Sequence, residues 1–162
     1  MSRHTLGSVI FVEDSLRRLV LIKPWYSLSW QLPGGFLHKK ESPLERAGLQ
    51  LLRETGLPKE MVGRRHFVSI GFHVFERHLD YYFRIRVPGL YIEGTEAPAV
   101  DPHLLPDKGW HQRIGLFSRE EVTNLDLSPE TTTALGQVDL AGEALLAEGL
   151  TAPGKTTGQD AI

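Results

Sequence analysis

Between Ser42 and Pro58 the chain carries a helix whose two ends are both marked by their residues. Ser42 suits an N-cap, Pro43 occupies the first helical position, and Glu45 falls three residues after the cap to complete a capping box. Gly56 supplies the left-handed residue that stops a helix, and Pro58 follows two residues beyond it. The spacing predicts a helix from about Ser42 to Thr55. At about 100° per residue, Leu44, Gly48, Leu51, Leu52 and Thr55 share one face, while Gln50, Arg53 and Glu54 share the other. Leu44, Leu51 and Leu52 are expected in the core, and the polar trio is expected to face a cleft.

The rest of the chain supplies strands for this helix to cover. Thr5 to Val12 alternates and is rich in branched residues, and Leu19-Val20-Leu21-Ile22 is a short apolar run ended by Pro24. Glu13-Asp14-Ser15 between them has the chemistry of a turn. Trp25 to Gly35 is punctuated by aromatic residues, proline and glycine, and ends in a Gly-Gly loop at Gly34 and Gly35. His66 to Phe75 and Leu79 to Val87 read as strands of an antiparallel hairpin, linked by Glu76-Arg77-His78. Pro88 to Lys108 reads as a long loop, which in a compact domain is more often functional or mobile than idle. Trp110 to Phe117 is a further strand, Ser118-Arg119-Glu120-Glu121 opens a short helix, and Ser128-Pro129-Glu130 starts a last one running to about Glu148. Short strands with one mid-chain helix and helices at the end predict an α+β fold, an α/β/α sandwich around a mixed sheet. One domain over residues 1–150 is expected, followed by a small, polar, disordered tail over 151–162.

Composition narrows the chemistry. The absence of cysteine excludes disulfides, thiol catalysis and zinc–thiolate sites. A net charge of −2 gives no general drive toward nucleic acid or an acidic membrane surface, so neither is expected as a partner. No apolar run approaches the roughly 20 residues of a membrane helix. Met1-Ser2-Arg3-His4 leads straight into a strand without the apolar core of a signal peptide, and a cytoplasmic location is expected.

Taken without reference to any family, the polar helix face is weak evidence. A glycine-rich segment leading into a helix can present backbone groups to a phosphate or a metal, but a solvated face is the ordinary alternative. The longer pattern is more specific. Gly35, five residues, Glu41, seven residues, then Leu49-Gln50-Leu51-Leu52-Arg53-Glu54-Thr55-Gly56-Leu57 resembles the Nudix box. Six of its nine fixed positions match: Gly35, Glu41, Leu51, Glu54, Gly56 and Leu57. The approach through Trp30, Leu32, Pro33 and Gly34 and the later Phe117-Ser118-Arg119-Glu120-Glu121-Val122 also fit, so the resemblance covers about residues 5 to 145.

This resemblance implies the Nudix sandwich and hydrolysis of nucleoside diphosphates linked to another group. It implies Mg2+ or Mn2+ held by Glu54 and the Gly35 carbonyl; Glu54 and Glu41 are the expected catalytic residues. Arg53, Gln50, Gly34, Gly35, His73 and His78 are the expected contacts to an anionic or diphosphate-bearing small molecule; the sequence leaves the oligomeric state open, a homodimer included. Three departures set the chain apart. The family carries Arg, Glu and Glu where this chain has Leu49, Gln50 and Arg53, so one of three metal-binding carboxylates remains and the local charge shifts by +3. Arg53 can grip a phosphate in place of a metal's charge, or pair with Glu54 or Gln50. Three functional readings follow: a hydrolase with a depleted metal site, metal-independent acid–base chemistry of isomerase or cyclase type, or a binding domain without catalysis.

Other residues keep two readings each. His73 and His78 flank the hairpin with Glu76 between them and Asp80 after; they suit acid, base or substrate contacts, or ordinary hydrogen-bonded histidines. No histidine pair has the His-x-x-x-His spacing of a helix, so a histidine metal site is not indicated. His38, Lys39 and Lys40 can meet phosphates or solvent. Glu93, Glu96, Asp101 and Asp107 are candidate extra ligands or bases from the long loop. Trp25, Tyr26 and Trp30 can stack on a ring or pack in the core.

Overall fold

The computed structural model describes residues 4–74, 76–90 and 112–147, with the side chains of the last helix described to residue 139. Expectations for Glu93, Glu96, Asp101, Asp107, Trp110 and the tail over 151–162 fall outside these residues.

Six strands and three α-helices form the described fold: β1 (Thr5–Glu13), β2 (Leu19–Lys23), β3 (Gly34–Phe36), α1 (Pro43–Thr55), β4 (Phe67–His73), β5 (His78–Arg86), β6 (Arg113–Phe117), α2 (Arg119–Val122) and α3 (Pro129–Ala147). They make one mixed sheet in the order β4-β5-β1-β2-β6, with β3 also paired to β1. β1 runs parallel to β5, from Thr5 opposite His78 to Glu13 opposite Arg86, while the other pairings are antiparallel. The α+β sandwich is thus observed.

β1 lies in the middle and is apolar on both faces, as a strand covered on two sides must be. Ile10 and Val12 join Val20, Ile22, Ala47, Leu51, Phe83 and Ile114 in a core under α1. Phe11 points the other way, into a second core with Leu19, Leu21, Trp30, Tyr82, Ala134 and Val138 under α3. Glu13 is buried where β1 ends and is ion-paired with Arg119 and Arg84, the latter also bonded to Asp139 of α3 at 2.8 Å.

The helix ends follow their sequence markers. Ser42 accepts from Glu45 N–H, Glu45 returns the bond to Ser42 N–H, and Gly56 sits in the left-handed region at φ 77°. Burial along α1 is narrower than the apolar spacing predicts. Ala47 and Leu51 are fully buried, whereas Leu44 and Leu52 lie at the margins of the stripe and are half-buried.

Candidate functional site

A cavity of about 590 Å3 opens over β3 and receives Arg46, Gln50, Arg53 and Glu54 from α1. Ser8, Val9, His78 and Asp80 contribute from the sheet, and Thr131 from the first turn of α3. The trio expected to face a cleft does so.

The glycines that enter this site form a strand, not the phosphate-cradling loop the sequence suggests. In an antiparallel pair, residues alternate between positions that bond the partner strand and positions whose N–H and C=O turn outward. Pro33 accepts from Ile10 N–H at 2.9 Å and Leu37 N–H donates to Leu6 at 2.8 Å, which leaves Gly34, opposite Val9, turned outward toward α1. Gly34 N–H donates to Glu54 Oε1 at 2.8 Å, and Gly34 C=O accepts from Gln50 Nε2 at 2.9 Å. Both of its polar groups are therefore used within the protein. Close approach explains the residue type. A Cβ on Gly34 would sit 2.4 Å from the Ser8 carbonyl oxygen, and one on Gly35 would sit 2.9 Å from Gln50 Nε2.

Gln50 joins this strand to Arg46. A carbonyl on one side needs a donor and a guanidinium on the other needs an acceptor, and one amide offers both. Its Oε1 receives Arg46 NH1 at 2.9 Å. Arg46 is itself buried and grips Glu41 bidentately, at 2.6 and 2.8 Å, while NH2 also donates to His38 Nδ1 at 3.0 Å. Because an arginine only donates, that contact puts the proton of a neutral His38 on Nε2. Glu41 lies outside the cavity lining, and its bond to Arg46 holds its carboxyl below the usual range. The structure thus places Glu41 as a support for Arg46.

Glu54 is the carboxyl that the cavity retains from α1. Burial pushes it from 4.5 up to about 8, against the opposing pull of Gly34 N–H, Gln50, Arg53 and Arg46. Near neutral pH it is mainly protonated and can donate a proton. Burial, and then the charge of Glu54, raise the Tyr26 phenol at the rim. Arg53 is exposed at the mouth and makes no hydrogen bond or close ion pair among the described residues, although its charge acts on Glu54.

These donors do not fit the divalent ion that the resemblance implies on α1. Mg2+ takes oxygen ligands and is commonly anchored by one or two carboxylates. Here α1 offers the cavity a single carboxyl, the Gln50 oxygen is occupied by Arg46, and two guanidinium groups share the face.

A second polar group lies on the sheet. His73 and His78 face each other across the β4–β5 hairpin, and Asp80 is two residues along from His78 on the same face. His73 Nε2 lies 3.0 Å from Asp80 Oδ2, and His78 Nε2 lies 2.6 Å from Asp80 Oδ1. The three are buried, and their ligand atoms lie within 4.8 Å of one another, a grouping that could hold a metal ion. The helical His-x-x-x-His test misses it because the histidines sit on strands, where partners meet across the ladder and at i, i+2. Arg46 was missed too, although its spacing of four from Gln50 is a readable helical signal. Among the aromatics, Trp30 is core, edge-on to Phe117 at 4.9 Å, whereas Trp25 and Tyr26 are exposed and stacked edge-on at 5.7 Å.

No protein-family model matches the chain, and no curated protein does. Solved structures match over most of it. A mutT/nudix family protein from Listeria innocua is 20% identical with a TM-score of 0.61, over 92% of this chain and 98% of that one. A MutT NUDIX hydrolase from Burkholderia pseudomallei is 19% identical with a TM-score of 0.61, over 85% and 99%. An Ap4A hydrolase from C. elegans is 15% identical with a TM-score of 0.58, over 88% and 98%. The chain has the Nudix hydrolase fold. No described helix is long and apolar enough to cross a membrane.

Proposed function

We propose that this Nudix-fold protein carries a degenerate box and uses its cavity to take an anionic, diphosphate-bearing small molecule, without divalent ions held on α1. The observation that carries this reading is the make-up of the α1 face: Arg46 and Arg53 around one raised carboxyl, Glu54. Arg46 is committed to Glu41 and Gln50, and Arg53 is left to meet the ligand at the mouth. A fold neighbour named as an Ap4A hydrolase agrees with a nucleotide-linked ligand, although a fold alone does not choose the chemistry.

Titration of ADP into wild type, Arg53→Ala and Glu54→Gln tests it. Wild type and Glu54→Gln bind, and Arg53→Ala binds at least tenfold more weakly. Rapid Mg2+-dependent hydrolysis of nucleoside diphosphate derivatives by wild type would overturn the reading.

A second reading rests on the raised carboxyl of Glu54, a proton donor near neutral pH in a sheltered site. It makes the cavity a centre for metal-independent acid–base chemistry of isomerase or cyclase type. Turnover lost in Glu54→Gln with binding kept supports it; binding without turnover in wild type leaves a binding domain.

A further inference from the structure

We propose that His73, His78 and Asp80 form a site for a borderline divalent transition-metal ion of the Zn2+ class, with one coordination position open to the cavity. The inference does not depend on the reading of the α1 face.

Proton placement is the first argument. His78 Nδ1 lies 3.1 Å from the Thr5 carbonyl, which can only accept, so Nδ1 carries a proton. In a neutral ring, Nε2 then presents its lone pair to Asp80 Oδ1 at 2.6 Å. Two lone pairs at that distance repel, and either a second proton on the ring or a metal cation between them removes the repulsion. A backbone carbonyl that fixes one ring nitrogen and leaves the other free is also how metal-bound histidines are usually oriented.

Space and ligand type agree. A Cβ on Gly7 would stand 2.5 Å from Asp80 Oδ1 and 3.0 Å from His78 Cε1, so the absence of a side chain there makes room for the pair. Metal bonds of about 2.0–2.1 Å put tetrahedral ligand atoms about 3.3 Å apart. The 2.6 and 3.0 Å contacts, made to the two different oxygens of Asp80, would open by about 0.7 and 0.3 Å to reach that spacing. Two imidazoles and one carboxylate suit a borderline ion, whereas Mg2+ and Ca2+ prefer all-oxygen sets. His78 and Asp80 line the cavity, so the fourth position faces it, the pattern of zinc sites that exchange water or another oxygen ligand.

The test uses the full chain freed of metal with a chelator and titrated with Co2+ and then Zn2+. The expected result is one equivalent bound, intense visible absorption of four-coordinate Co2+ displaced by Zn2+, and a Tm that rises with metal concentration. Asp80→Asn and His73→Gln should weaken binding at least tenfold, while Glu54→Gln leaves it intact. Anomalous diffraction from Zn2+-soaked crystals places the ion independently of whether those variants fold. No saturable binding by wild type would overturn the proposal, leaving a buried histidine–aspartate hydrogen-bond cluster. So would binding lost in Glu54→Gln, or anomalous density elsewhere.

Discussion

Gln50 spans the gap between Arg46 and Gly34, accepting from the guanidinium at 2.9 Å and donating to the carbonyl at 2.9 Å. A glutamate here could still accept from Arg46 but would turn an oxygen against the Gly34 carbonyl. The amide therefore locks α1 to β3.

Adding negative charge to this face should raise its affinity for cations. Gln50→Glu with Arg53→Glu replaces one amide and one cation by two carboxylates beside Glu54, and Mg2+ or Mn2+ affinity should rise at least tenfold over wild type by calorimetry. Tight binding of two ions on α1 by the unaltered protein would refute the cationic reading of this face.

Glu54 makes stability depend on pH with a definite sign. Its folded value of about 8 lies above the ordinary 4.5, so across that window the folded state holds a proton that the unfolded chain has released. The resulting stability is complete below 4.5 and is lost as pH rises through 8, at no more than ~1.4 kcal/mol per pH unit. In denaturant titrations at pH 5, 7 and 9, Glu54→Gln should gain on wild type as pH rises. A difference independent of pH would mean that the carboxyl is ionised throughout.

Arg53 should matter for affinity and little for folding, since it is exposed at the mouth. A charge-assisted contact to phosphate is worth on the order of 1.5–3 kcal/mol, about tenfold or more in Kd. Arg53→Ala should lose that much for ADP at an unchanged Tm, and Arg53→Lys should recover part of it. Equal affinity in all three proteins would place the anion elsewhere.

Gly34→Ala tests the contact between β3 and β1. The added Cβ would meet the Ser8 carbonyl oxygen at 2.4 Å, and backbone cannot yield as a side-chain tip can. Overpacking of this kind costs about 1–3 kcal/mol, so thermal unfolding should show a Tm several degrees lower. An unchanged Tm would show that β3 shifts freely.

How much of this was readable beforehand depended on the range of the interactions. The ends of α1 are fixed within a few residues, by Ser42, Glu45 and Gly56, and the sequence shows them directly. β3 was hidden because two glycines carry no alternation; their strand character comes from β1, far away in the chain. Arg53 could be placed by helical period, but Arg46 acquires its role only once Glu41, Gln50 and His38 converge on it. The His73–His78–Asp80 group needed the hairpin register, which places two histidines opposite each other.

The parallel pairing of β1 with β5 also bears on how the chain reaches this state. Thr5 and His78 are 73 residues apart in sequence, yet they begin the central ladder together. Closing so long a loop precedes any gain from the ladder, and chains dominated by distant pairings fold slowly. The α1 helix and the β4–β5 hairpin are local enough to form early. The middle of the sheet, and with it the floor of the cavity, therefore rests on a pairing that has to close a long loop.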